Sequence, residues 1–151
     1  MKDTFAELES LLRNVSYWIK KRGRDALSSV NITLPQFQVL QLVYFGEALN
    51  IKQLTRLTGL AASTISEMVD RLVELGYITK TQNAVDRRQV VLKSTRQGSA
   101  IIRRVIRQRV RSIQSIARDM EPGSAGYLAV VLREFVELCN RAERLAKLPG
   151  S

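Results

Sequence analysis

Apolar residues along most of this chain recur every three or four positions, the spacing of helices that bury one face. Phe5, Leu8, Leu12, Val15 and Ile19 make the first stripe, widened by Leu11 and Trp18. It runs into Lys20-Lys21-Arg22-Gly23-Arg24, where positive charge offsets the helix dipole and Gly23 is the expected stop. Residues 26–32 read as a connection. Thr33 opens a second helix: Thr33-x-x-Gln36 is a capping-box pattern, and Pro35 falls in the first turn, where its missing N–H costs nothing. Leu34, Phe37, Leu40 and Val43, with Tyr44, form its buried face, and Gly46 ends it. A short helix over 51–58, with Leu54 and Leu57 inward, leads to a tight turn at Gly59. A further helix runs from about 63 to 75, with Ile65, Val69 and Leu72 inward, Met68 alongside, and Gly76 as its stop. Helix, short glycine-containing turn, helix is the outline of a helix-turn-helix unit.

After Gly76 the period changes. Residues 77–81 read as a strand and 89–93 as its return, joined by a polar loop over 82–88 that ends in Asp86-Arg87-Arg88. By itself this is an ordinary hairpin; directly after a helix-turn-helix it has the place of a wing. Two long helices follow. Thr95 caps the first, which is expected to reach about Met120, and Glu121-Pro122-Gly123 breaks it. The last spans about 124–148, with Leu128, Val131, Leu132, Phe135, Leu138, Cys139, Ala142 and Leu145 on its inner side.

Charge narrows the function. The 151 residues carry 24 Lys and Arg against 14 Asp and Glu, a formal net charge of +10. That excess favours a polyanionic partner (DNA, RNA or an anionic membrane surface) over a merely solubilising role. A single cysteine, Cys139, and no histidine argue against a Cys/His zinc site and against a Ser-His-Asp or Cys-His engine, so neither a cofactor nor an enzyme is expected. The polar, acidic first nine residues do not read as a signal peptide, and no apolar run approaches the ~20 residues of a membrane span. A cytoplasmic protein with no membrane partner is the expectation.

The candidate chemistry lies on the second helix of the helix-turn-helix. Ala61, Ala62, Ser63, Thr64, Ser66 and Glu67 occupy its N-terminal and outward positions, where small residues let the backbone approach base edges and hydroxyls donate to phosphates or bases. Glu67 has two readings: an acceptor for a cytosine amino group, or an i,i+4 partner of Arg71 on a solvated face. Arg71 either reaches a phosphate or serves as that ion-pair partner. At the hairpin tip, Arg87 and Arg88 suit a narrow minor groove, with Asp86 orienting a neighbouring arginine; a solvated charge cluster is the plainer alternative. From Lys93 to Arg118 every charged residue is basic, and Arg96, Arg103, Arg104, Arg107, Arg111 and Arg118 share an arc of roughly 100°. That face suits a membrane surface or a positive field that attracts DNA, the latter being favoured because its apolar arc has other helices to pack against. Arg109 falls inside the apolar arc, so it is expected to have a carboxylate partner on the first or last helix, within one chain or across a dimer.

These residues resemble the MarR family. Leu34-Pro35-Gln36-Phe37-Gln38-Val39-Leu40, entered through Thr33, looks like the opening helix of its winged domain. Leu60-Ala61-Ala62-Ser63-Thr64-Ile65-Ser66, Val69-Asp70-Arg71-Leu72 and Gly76-Tyr77-Ile78 look like its recognition helix entering the wing. Asp86-Arg87-Arg88 matches the wing's Asp-x-Arg signature, and Thr95-x-x-Gly98 the start of the next helix. The resemblance implies a mainly α fold with a small β-hairpin wing. The expected divisions are an N-terminal dimerisation helix over 1–30, the winged helix-turn-helix over 31–94 and C-terminal dimerisation helices over 95–148. It implies a homodimer on double-stranded DNA, binding a pseudo-palindromic operator and usually repressing transcription. Ser63, Thr64, Ser66 and Glu67 would take the major groove and Arg88 the minor groove. Lys80, expected with Arg87 and Arg88 to contact DNA from the wing, stands where the family often has a wing-base arginine; Glu67 stands where it commonly has a basic or amide residue, and Ser94 where it often has leucine. Family members that sense oxidants carry a cysteine near the N-terminus; Cys139 lies elsewhere, on an apolar helical face, and reads as a packing residue. Many relatives bind a small aromatic or anionic effector, for which Tyr17, Trp18, Phe37 and Tyr44 are candidate lining residues, plain core being the alternative. The rival function is sequence-independent nucleic-acid or nucleoid binding through the same basic surface.

Overall fold

The structure, a computed structural model, describes residues 3–86 and 89–145. Its elements run α1 (Thr4–Leu27), α2 (Leu34–Tyr44), α3 (Ile51–Thr58), α4 (Ala62–Glu74), β1 (Ile78–Gln82), β2 (Val90–Ser94), α5 (Arg96–Ala117) and α6 (Ser124–Leu145). Residues up to Val110 form one compact unit and those from Arg111 a second, the boundary falling within α5.

α2 begins as its capping box predicts. The Thr33 hydroxyl accepts from the Gln36 N–H at 3.3 Å, and the Gln36 side chain accepts from the Thr33 N–H at 2.9 Å. α3 has the range read from its pattern, held at its start by Asn50, whose side chain accepts from the Gln53 N–H. α4 ends in a Schellman motif: Gly76 N–H to the Val73 carbonyl at 2.9 Å and Tyr77 N–H to the Leu72 carbonyl at 2.8 Å. This geometry needs the left-handed backbone that Gly76 takes, φ 72°, and it turns the chain from α4 into the wing. β1 and β2 pair antiparallel, Ile78 opposite Ser94 through Gln82 opposite Val90, one residue later at each strand than the alternation suggests. The Leu92 N–H also donates to the Leu49 carbonyl at 2.8 Å, tying the hairpin to the segment that enters α3.

Phe37, Leu40, Leu54, Ile65, Val69, Leu72, Ile78, Leu92, Ile102 and Val105 are fully buried in one cluster drawn from α2, α3, α4, the hairpin and α5. Full burial of each such side chain is worth ~1.5–3 kcal/mol, which holds α4 and the wing rigidly on one core. Thr95 locks the junction: its hydroxyl donates to the Gly76 carbonyl at 2.6 Å and accepts from the Gly98 N–H at 3.1 Å. Gly98 is buried with the Tyr77 carbonyl packed where a Cβ would stand.

Three expectations are corrected. α1 does not stop at Gly23 but continues to Leu27. Gly23 keeps a helical φ and is buried against Arg109, while Ala26 and Leu27, expected in a connection, enter the core. α5 ends at Ala117, and Val110, Ile113 and Ile116 on its apolar arc remain about half exposed. α6 buries none of its described residues within the single chain. Leu128, Val131, Leu132, Phe135 and Leu138, assigned to an inner side, are all exposed, as is Cys139.

Candidate nucleic-acid interface

α4 meets its surroundings with two distinct faces. Ile65, Val69 and Leu72 are sunk in the core, while Ser63, Glu67, Asp70, Arg71 and Glu74 are exposed on the opposite side and Thr64 and Ser66 lie half-buried at its edges. Its N-cap, Ala61, supplies no side-chain acceptor to the first-turn N–H groups of α4. Such N–H groups and the positive end of the helix dipole together suit an anionic group such as a phosphate oxygen.

The charges on the outward face settle into pairs that the spacing alone left open. Arg71 turns to Glu74, Nη1 to Oε2 at 3.2 Å, and not to Glu67. Lys80, on β1, reaches across to the Asp70 carboxylate and ties the wing to α4. The structure therefore commits the Lys80 ammonium to a side chain instead of leaving it free at the wing base. Among the described residues Glu67 has no ion-pair or hydrogen-bond partner, so the pair with Arg71, one of its two readings, is not formed.

At the hairpin tip Asn83, unmarked in the sequence reading, shapes the turn. Its side-chain oxygen accepts from the Val85 N–H at 2.9 Å and the Asp86 N–H at 3.4 Å, an Asx-type turn. The Gln89 N–H closes the loop onto the Asp86 carbonyl at 2.9 Å. Arg87 and Arg88, the candidates for minor-groove contact, lie outside the described residues, and so does the arginine that Asp86 was expected to orient.

A second basic feature was also missed. Lys52 and Arg56 are exposed one turn apart on α3 and, with Asn50 and Gln53, line a hollow of about 480 Å³. In a helix-turn-helix the first helix crosses the sugar–phosphate backbone, which makes these cations candidate phosphate contacts. The available signal was two cations four residues apart on the polar side of the short helix.

Between α1, α2, α3 and α5 lies a separate cavity of about 580 Å³, lined by Ile19, Leu34, Phe37, Leu42, Leu57 and Leu60 among others, with Lys20 and Arg109 as its cations and no carboxylate. Leu57, expected inward, is partly exposed here. Arg109 is half-buried, its guanidinium carbon 5.6 Å from the centre of the Phe37 ring, and its buried Nε has no hydrogen-bond partner. Desolvation by burial pushes its pKa below the ordinary arginine value. The burial foreseen for Arg109 is present; the carboxylate partner is absent among the described residues of this chain. Of the aromatic residues named for an effector space, Phe37 lines the cavity. Tyr17 is exposed, Trp18 stacks under Arg22 at 5.5 Å, and Tyr44 meets Phe45 edge-on at 5.0 Å.

Helix-turn-helix plus a hairpin wing on a shared core is a winged helix-turn-helix domain, a DNA-binding class. Comparison with known proteins narrows this. A sequence model of the MarR family matches residues 32–90. The HTH-type transcriptional regulator YsmB of Bacillus subtilis is 34% identical over 140 residues, covering 92% of this chain and 93% of YsmB. The crystal structure of the transcriptional regulator Tm0710 from Thermotoga maritima superposes with a TM-score of 0.76 at 32% identity, over 95% of this chain and 99% of that one. A MarR family protein from Bacillus stearothermophilus gives 0.79 at 30% identity, over 91% and 96%. The chain belongs to the MarR family of DNA-binding transcriptional regulators.

Proposed function

We propose that the protein works in the cytoplasm as a homodimeric repressor on a pseudo-palindromic operator and is released by a small aromatic or anionic ligand. The observation that carries the dimer is the uncovered face of α6. Tyr127, Val131, Phe135 and Leu138 follow one another at four, four and three residues, and they are 73%, 42%, 39% and 50% exposed. A contiguous apolar stripe of this kind marks an association surface. A second copy is the occupant this reading favours, because α6 carries both signs of charge along its length (Arg133, Arg141 and Arg144 with Glu134, Glu137 and Glu143), so two copies running antiparallel can set unlike charges opposite each other. α1 also leaves Phe5, Leu11 and Val15 exposed for such a role. In this reading residues 1–30 and 95–148 serve dimerisation and residues 31–94 bind DNA.

Two α4 helices then enter successive major grooves ~34 Å apart, with Ser63, Thr64 and Ser66 toward base edges and the wing arginines toward the adjacent minor groove. The effector takes the cavity beside Arg109, where an anion would satisfy the unpartnered guanidinium. Release follows if the ligand binds a dimer spacing that does not fit DNA more tightly than the one that does.

Selection of bound sequences from random duplex DNA tests this reading. An inverted repeat with half-sites about one turn apart, and repression of a reporter placed behind it, is the expected result. Recovery of no motif, with binding lost steeply as salt rises, would instead favour sequence-independent polyanion binding.

A further inference from the structure

The outward face of α4 carries three carboxylates, Glu67, Asp70 and Glu74, which is unexpected for a surface that approaches phosphates. Two are neutralised within the fold: Asp70 by Lys80 of the wing, and Glu74 by Arg71 one turn earlier. Among the described residues Glu67 is the one left over. It is exposed in the second turn of the helix, four residues after Ser63, and Arg71, its only basic neighbour at i+4, is engaged elsewhere. A bare carboxylate brought into the major groove loses hydration and meets phosphate repulsion. It is tolerated where a base edge offers it a donor.

We propose that Glu67 is a specificity-determining residue that accepts a hydrogen bond from a cytosine amino group at one position of each operator half-site. Chemistry selects cytosine among the bases. In the major groove cytosine presents its N4 amino donor with no acceptor of its own beside it, whereas adenine sets its N6 amino group next to the N7 acceptor, which repels the second carboxylate oxygen. Guanine presents only acceptors and thymine an acceptor and a methyl group, so both disfavour the carboxylate. Glu67 thus acts by rejection as much as by attraction. The inference rests on α4 being the recognition helix.

The test is bound-sequence selection from random duplex DNA with the full-length protein, Glu67→Ala, Glu67→Gln and a Ser63→Ala/Ser66→Ala double variant. The natural protein should enrich cytosine at one symmetric position, and exchanging that base pair should weaken binding about tenfold to a hundredfold. Glu67→Ala should lose the preference at that position alone. Glu67→Gln should move it toward adenine, whose N6 and N7 pair with an amide. The same preference at every position in both Glu67 variants overturns the proposal. If that happens while the double serine variant binds its operator more weakly, α4 remains the recognition helix and only the role of Glu67 falls. If the serine variant also binds unchanged, both readings fall together.

Discussion

The backbone of Gly23 in α1 lies directly beneath the guanidinium of Arg109 in α5, in space that any side chain at position 23 would fill. The glycine therefore does not end α1. It makes room for a half-buried cation that stacks on Phe37 and has no carboxylate beside it among the described residues.

Gly23→Ala should consequently be nearly neutral for stability. Alanine is the better helix former by ~1 kcal/mol, and the obstacle is the far end of a flexible side chain. Thermal unfolding should shift by the equivalent of no more than about 1 kcal/mol, while a crystal structure of the variant should show the guanidinium displaced from Phe37. A loss of several kcal/mol would show that Arg109 cannot move.

Gly98→Ala should behave differently, because the colliding atom is the Tyr77 backbone carbonyl at the junction of α4, the wing and α5. Overpacking against a fixed backbone costs about 1–3 kcal/mol. Urea denaturation of this variant beside Gly23→Ala measures the contrast, and equal stabilities would refute the account of Gly98.

Arg109→Met keeps much of the volume and removes an incompletely paired charge. Stability in denaturant should stay the same or rise by about 1 kcal/mol, as when partly buried charges are replaced by apolar groups. If Arg109 anchors an anionic effector, calorimetric titration with benzoate should show binding to the natural protein and none to the variant.

Phe135→Glu places a carboxylate in the middle of the exposed stripe of α6. Sedimentation equilibrium should report a monomer with unchanged helical content by circular dichroism. Operator affinity should fall, since one half-site no longer assists the other. A dimer of undiminished affinity would place the interface elsewhere.

Asp70→Asn releases Lys80 from its partner. The pair is largely exposed, so stability should change by less than about 1 kcal/mol. The freed ammonium and the lost carboxylate should tighten DNA binding and steepen its logarithmic salt dependence by about one for each subunit. An unaltered slope would mean that Lys80 stays out of reach of the phosphates.

The local elements were legible because their causes are local. The Thr33–Gln36 capping box, the extent of α3, the turn at Gly59, the stop at Gly76 and the hairpin after it depend on residues a few positions apart, and periodicity records them directly. The inward sets of α2 and α4 followed for the same reason. The pairing of Arg71 was less legible: Glu67 at i−4 and Glu74 at i+3 are both in reach, and the surrounding structure decides between them.

By itself, then, the sequence determined a winged helix-turn-helix, its positive charge and the helix that carries the candidate base contacts. The tertiary structure alone decided that Gly23 is a seat for Arg109 and no helix end, that Lys80 is bound to Asp70, and that Glu67 has no partner among the described residues. It also decided that Tyr127, Val131, Phe135 and Leu138 on the apolar face of α6 are exposed. Each of these turns on which distant surfaces meet. A stripe of apolar residues specifies that a helix face leaves water, whereas what covers it, and which charges it brings together, depends on packing between segments far apart in the chain.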